Sequence, residues 1–218
     1  MWSVIEECRR KGRMWESLNS TFIALIPKSD KPSTIDKFRP ISLCNHIYKI
    51  IAKIITNHPK PVLPLHISTE QFAFLQNRQI HEAIGTTQEI LHFVQTKSLK
   101  WMILKIDLSK AFDRVNWLYI RILLTHLGFL YSFNNWIMCC ITNVSYSVPI
   151  NGFTSPIFHA ERVLRQGCPL SPLLFLLIMG ASSKPLEMNT KRANKGNQSH
   201  ICMYTNPFII CGSCACLP

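Results

Sequence analysis

The chain has 218 residues, 47% hydrophobic and 17% charged, and its 24 lysines and arginines against 12 aspartates and glutamates give a formal net charge of +12. That is length for one or two domains and apolar content for one substantial core, which disfavours a disordered chain or a coiled coil. The charge favours a polyanionic partner, against the plainer reading of a domain that is merely basic and soluble.

The first twenty residues read as a short helix with a polar exit. Thr21 to Ile26 is a compact apolar run stopped by Pro27, hence a strand, followed by a basic loop from Lys28 to Pro40. Ile47, Ile50, Ile51, Ile54 and Ile55 recur at helical spacing and predict an amphipathic helix, which Pro59, Pro61 and Pro64 then interrupt. A polar connection over Gln71 to Ile80 leads into a second helical segment, His81 to Val94, and Trp101 to Ile106 reads as a buried strand ending in Asp107. Trp117 to Leu127 is helical with Gly128 as its cap. Asn151-Gly152 between Tyr146–Ile150 and Phe153–Phe158 is a hairpin signal, and an apolar helix starts near Pro169. Strands and helices mix without strict alternation, which predicts an α+β fold with an antiparallel sheet.

All four aspartates (Asp30, Asp36, Asp107, Asp113) lie in the first 113 residues, so a later site must use Glu161 or Glu187. Nine cysteines, five of them scattered through the first 168 residues, point to a reducing compartment and so to the nucleus or cytoplasm. Glu6, Glu7, Arg9, Arg10 and Lys11 follow Ile5 at once, leaving no signal-peptide core. The longest apolar run, Leu173 to Met179, falls far short of the roughly 20 residues that span a bilayer, so no membrane partner is expected.

Three segments carry chemistry. In KIDLSKAFDRV, Lys105 to Val115, Asp107 ends a strand where its oxygens could bind a hard divalent ion; the alternative is a turn cap, with Asp113 paired to Arg114 or Lys110. In RVLRQGCPLSPLLFLL, Arg162 to Leu177, a proline-stiffened helix start has Arg162, Arg165 and the Gln166 amide beside its positive end, a place that suits an anion. In IPKSDKPSTIDKFRPISL, Ile26 to Leu43, Lys28, Lys31, Lys37 and Arg39 sit on a rigid loop that can meet phosphates or simply be solvated.

Taken together and in this order, these segments resemble the reverse transcriptase domain of non-LTR (LINE-type) retrotransposons, particularly the plant kind. The fingers motif is IPKSDKPSTIDKFRPISLCNHIYKIIAKIITN with STEQFAFLQNRQIHEAI after it; KIDLSKAFDRVNW and LRQGCPLSPLLF match two palm motifs. The resemblance implies that Asp107 is the first metal-binding aspartate of the palm and the catalytic one, where the family holds two Mg²⁺ ions that activate the primer 3′-hydroxyl and support the triphosphate. It makes Phe112 the aromatic gate against the ribose 2′-hydroxyl. Arg39 and Lys28 become triphosphate contacts, Gln166 and Gly167 line the nucleotide and template side of the pocket, and Asp113 is structural. The implied partners are an RNA template, an RNA:DNA duplex and deoxynucleoside triphosphates.

The family's next motif is an aromatic-Ala-Asp-Asp turn. Its counterpart here is SHICMYTNPFIIC, Ser199 to Cys211, with Thr205 and Asn206 where the paired aspartates belong, and no aspartate follows Asp113 in any register. Val163 replaces a glycine usual before Arg-Gln-Gly, and Cys168 stands where the family often has aspartate. The expected organisation is a helical lead-in at 1–20, a fingers and palm domain at 21–198, and an eroded segment at 199–218 at the Asp-Asp position. The fold implied is an incomplete right-hand polymerase, fingers and an antiparallel palm sheet packed on helices, with no thumb: a truncated, degenerate domain without catalysis. Two other readings stand beside it. One is a non-catalytic nucleic-acid-binding module. The other is a metal-binding tail of His200, Cys202, Cys211, Cys214 and Cys216, whose spacing is unlike that of zinc fingers. The erosion predicts missing strand pairing over Ser199 to Cys211 and exposure of faces such as Leu173 to Met179.

Overall fold

The computed structural model describes residues 2–67, 71, 72, 74, 75, 78–98, 101–181, 200–206 and 208–210; for 65, 66, 101–107 and 200–210 the description is of the backbone. The chain forms two compact units, one from Met1–Pro59 with Lys110–Phe175 and the other from Lys60–Ser109 with Leu176–Pro218.

In the first unit, helices α1 (Trp2–Lys11) and α2 (Glu16–Asn19) lead into strand β1 (Thr21–Pro27), which pairs antiparallel with β2 (Phe38–Cys44) from Thr21 opposite Cys44 to Pro27 opposite Phe38. The basic loop is therefore shorter than the sequence suggests. Phe38, Arg39 and Pro40 belong to a strand, and Pro40 is tolerated because β2 is at the sheet edge. Helix α3 (His46–Asn57) follows, capped by Asn45, whose Oδ1 accepts from the Ile47 amide at 2.9 Å. Its buried stripe is Tyr48, Ile51, Ala52, Ile55 and Thr56, while Ile50 and Ile54 are 39% and 38% exposed. The helix is rotated from the all-isoleucine stripe because the Tyr48 ring joins Ile51 and Ile55 in the interior.

Helix α4 (Leu63–His66), with proline at its start, opens the second unit. Helix α5 (Ile80–Thr96) begins at a capping box in which the Gln79 amide donates to Glu82 Oε2 at 3.4 Å. Strand β3 (Trp101–Asp107) ends at the predicted acid. In the first unit again, α6 (Trp117–His126) is capped by Asn116, whose Oδ1 accepts from the Leu118 amide at 2.8 Å, and Gly128 takes a φ of +80° just after it. Helix α7 (Tyr131–Ile141) lies against α6 through buried Asn134, whose Nδ2 donates to the Arg121 carbonyl at 3.2 Å and to Thr125 Oγ1 at 2.9 Å. Asn134→Ala leaves both acceptors short, so an equilibrium urea titration is expected to show a loss of about 1–3 kcal/mol.

Strand β4 (Ser145–Ser147) runs parallel to β1, and the hairpin of β5 (Pro149–Ile150) and β6 (Phe153–Thr154) turns on Asn151 and Gly152 at φ +50° and +86°, the paired positive angles of a tight hairpin. Strand β7 (Phe158–His159) completes the order β2-β1-β4-β7. Residues 171–181 form helix α8, in which Leu173, Leu174, Phe175, Leu176, Leu177 and Met179 are all buried. The expected exposure of this run is corrected: each of these six side chains is within the core.

In the second unit β3 pairs parallel with β8 (His200–Asn206), which turns back antiparallel onto β9 (Phe208–Ile210). The expected gap in strand pairing is thus also corrected: the apolar and β-branched residues of His200–Asn206 and Phe208–Ile210 have strand character in their own right. The fold is α+β with mixed sheets: four antiparallel pairings and two parallel ones, β1 with β4 and β3 with β8.

Candidate functional site

The first unit carries five of the sequence-predicted site residues on segments joined through the backbone. Arg39 is exposed on β2, opposite Ile26. Three residues on, the Ser42 amide donates to the Gln166 carbonyl at 2.7 Å. Gly167 comes next at φ +100°, so close to β2 that a Cβ there would sit 3.0 Å from the Ser42 carbonyl oxygen. Leu164, two residues before Gln166, donates its amide to the Phe112 carbonyl at 2.8 Å. Phe112 stacks on Phe175, ring centroids 4.8 Å apart at 19°. Strand β2, the Gln166–Gly167 turn and the Phe112 turn therefore form one continuous backbone framework. Gly167→Ala meets both a left-handed backbone and a close carbonyl; thermal unfolding is expected to show a loss of about 1–3 kcal/mol.

Lys28 turns inward along its loop, donating from Nζ to the Asp36 carbonyl at 2.9 Å, and Lys37 donates to Ser33 Oγ at 3.0 Å. Lys110 Nζ pairs with the Asp36 carboxylate at 2.6 Å, although 74 residues separate them. Its hydrogen bond holds the Asp36 carboxyl below, and the Lys110 ammonium above, their ordinary ranges. Lys110 is thus committed to Asp36, not to Asp113 as the structural alternative had it. Asp113 is half-buried; burial pushes its carboxyl up, with Lys110 and Lys28 pulling the other way. The sequence offered Lys110 only a local partner and Asp36 none, and it shows no trace of so distant a pairing.

Arg165 is placed differently from the anion-facing position its spacing suggested. It is 4% exposed and points into the protein, donating to Thr21 Oγ1 at 3.2 Å, to Asn19 Oδ1 at 2.9 Å and to the Cys140 carbonyl. Its guanidinium carbon lies 3.8 Å from the centroid of the Tyr48 ring. Val163, where a glycine was expected, adopts φ +147°, a backbone region that β-branched side chains strongly disfavour. Its carbonyl accepts from Trp117 Nε1 at 2.9 Å, which holds it there. Val163→Gly is expected to raise stability by about 1 kcal/mol in a urea titration, relief of strain exceeding the added chain entropy.

The second unit carries the remaining sequence-predicted residues, Asp107, Thr205 and Asn206. In-register pairing of β3 with β8 sets Ile106 level with Thr205 and Asp107 level with Asn206. The two positions at which the motif resemblance expects paired aspartates are thus level with the end of β3, on an adjacent strand. The cysteines of the tail from Cys211 onward lie outside the described residues.

The sequence profile described as "Reverse transcriptase (RNA-dependent DNA polymerase)" matches residues 26–212. The chain belongs to this family. Among its relatives, a frog (Xenopus laevis) protein called "Transposon TX1 uncharacterized 149 kDa protein" is 33% identical over 175 residues, covering 80% of this chain and 13% of that protein. The "Retrovirus-related Pol polyprotein from type-1 retrotransposable element R2" of Nasonia vitripennis is 28% identical over 203 residues, covering 87% and 19%. The corresponding type-2 element R2DM protein of Drosophila melanogaster is 24% identical over 185 residues, covering 84% and 17%. The chain spans less than a fifth of the length of each. It is a reverse transcriptase domain of the non-LTR retrotransposon type. These relatives come from a frog and two insects, and the plant affinity stays a resemblance of motifs. Reverse transcriptases are Mg²⁺-dependent polymerases that copy RNA with deoxynucleotides. Among the described residues no helix is long and apolar enough to cross a membrane.

The donor set here does not fit a pair of divalent ions. Such ions take several anionic oxygens, and the strands set one residue with a carboxylate, Asp107, level with an asparagine, Asn206.

Proposed function

We propose that this chain is a reverse transcriptase domain that holds nucleic acid without extending primers. The observation that carries the reading is the β3–β8 register, with Asn206 beside Asp107 in a chain that has no aspartate after Asp113. A single carboxylate with neutral neighbours cannot hold two dications against water. The basic surface does not depend on the lost acids. Lys31 and Arg39 are exposed on the β1–β2 hairpin, within a chain of net charge +12, and suit the phosphates of an RNA template or an RNA:DNA duplex. In this reading Arg39 and Lys28 face the triphosphate of a deoxynucleotide, Gln166 and Gly167 line its pocket, and Phe112 lies against its ribose. Val163, at φ +147° where the motif resemblance expects glycine, is in keeping with the same picture.

The test is a pair of measurements on one preparation of the whole chain with a primed RNA template. A mobility-shift titration is expected to show binding, and labelled deoxynucleotide in Mg²⁺ or Mn²⁺ is expected to stay unincorporated. Loss of binding, or templated incorporation, overturns the reading.

A further inference from the structure

Arg165 is a buried cation for which nothing above supplies a role. Among the described residues no carboxylate pairs with it; its partners are Thr21 on β1, Asn19 at the end of α2, the Cys140 carbonyl on α7 and the Tyr48 ring on α3. Burying a guanidinium without a counter-ion is unfavourable, and an apolar side chain of similar length would fill the space at less cost. What an apolar side chain cannot do is hold three separate segments, Asn19–Thr21, α3 and α7, by direction. The planar guanidinium does, with donors in the plane and a face for the aromatic ring, a combination lysine lacks. The backbone on either side of it is bonded to other segments: the Leu164 amide donates to the Phe112 carbonyl and the Gln166 carbonyl receives the Ser42 amide, while the Arg165 side chain is buried.

We propose that Arg165 is a positioning residue, whose guanidinium fixes the Gln166–Gly167 turn against β2 and so sets the spacing between Gln166, Phe112 and the strand that carries Arg39. The proposal rests on the pocket reading above for its functional meaning. The positioning itself is independent of any nucleotide. Removing the guanidinium frees the turn from its inward anchor, and the two outward bonds at Ser42 and Leu164 then open locally while the α3 core stays closed. The Tyr48 hydroxyl, which donates to the same Cys140 carbonyl at 3.2 Å, keeps α3 and α7 tied in that event.

The experiment is amide hydrogen exchange on the intact chain without nucleic acid, comparing Arg165→Lys and Arg165→Met with the unaltered protein. The expected result is exchange at least about tenfold faster at Ser42 and Leu164, with Ile51 and Ile55 in α3 changed by less than about threefold. Lysine should restore no more than part of the protection, since it keeps the charge but not the fork. Uniform acceleration across α3 and the turn, or unchanged protection at Ser42, overturns the proposal. A measurement on the unaltered chain stands if either variant fails to fold: the Arg165 guanidinium protons and the Ser42 amide should exchange with one common opening equilibrium, and separate equilibria refute the coupling. In the folded variants, a titration with a deoxynucleoside triphosphate reads the pocket. Unweakened binding with faster Ser42 exchange would leave the positioning intact and overturn the assignment of Gln166 to the pocket.

Discussion

Replacing Thr205 and Asn206 together by aspartate is expected to tighten Mn²⁺ binding at least about tenfold, because carboxylate count is the main determinant of affinity for hard cations. The expectation follows from register. Adjacent strands lie about 4.8 Å apart, so side chains at one level of β3 and β8 can share an ion. Residues 205 and 206 are level with 106 and 107. Titration calorimetry with Mn²⁺ on the double variant and on a triple variant that adds Asp107→Ala reads the effect. The gain should vanish in the triple variant. A gain that survives loss of Asp107 places the new carboxylates elsewhere, and no gain at all means that the erosion extends beyond these two residues.

The second large effect concerns grip. Affinity for a primed RNA template should fall as roughly the third to fourth power of salt concentration, as neutralising about four phosphates requires. Replacing Lys28, Lys31, Lys37 and Arg39 by alanine should flatten the slope to about a quarter of that value or less. The structure orders the contributions. All four are exposed, but Lys28 and Lys37 already bond within the hairpin connection, so the Lys31→Ala, Arg39→Ala double variant should account for more than half of the change. Asp107→Ala should leave the slope unchanged or slightly steeper, since it removes a negative charge. An unaltered slope in the quadruple variant would mean that the hairpin connection is only solvated surface.

The sequence was most legible where one period dominates. Thr21 to Ile26 and Trp101 to Asp107 are strands as their apolar runs suggest, and Asn151-Gly152 turns a hairpin because its angles suit few other pairs. It was misleading where one residue outweighs the pattern. Phe38, Arg39 and Pro40 look like loop, yet lie on an edge strand where a missing amide costs nothing. Five isoleucines outline a stripe, yet Tyr48 turns α3 because its ring receives Arg165 and its hydroxyl finds the Cys140 carbonyl.

The candidate site was legible as motifs and not as contacts. Arg39, Phe112, Gln166 and Gly167 could be named, but nothing in their spacing reveals that Ser42 joins β2 to Gln166 or that Leu164 joins the turn to Phe112. Arg165 was misplaced for a related reason. Leu164 and Arg165 are both buried in a segment that is neither helix nor strand, so no period in the sequence says that the guanidinium turns inward. The Lys110–Asp36 pair spans 74 residues, beyond any local pattern. Val163 is the instructive intermediate: its oddity was visible in the sequence, while its cost is visible only in a φ of +147°.

Primer extension tests the central claim most directly. The unaltered chain and its Asp107→Ala variant are compared at equal occupancy on one primed RNA template, with four deoxynucleotides and either Mg²⁺ or Mn²⁺. The two are expected to leave the primer equally unextended; templated extension by the unaltered chain that Asp107→Ala abolishes would contradict the claim.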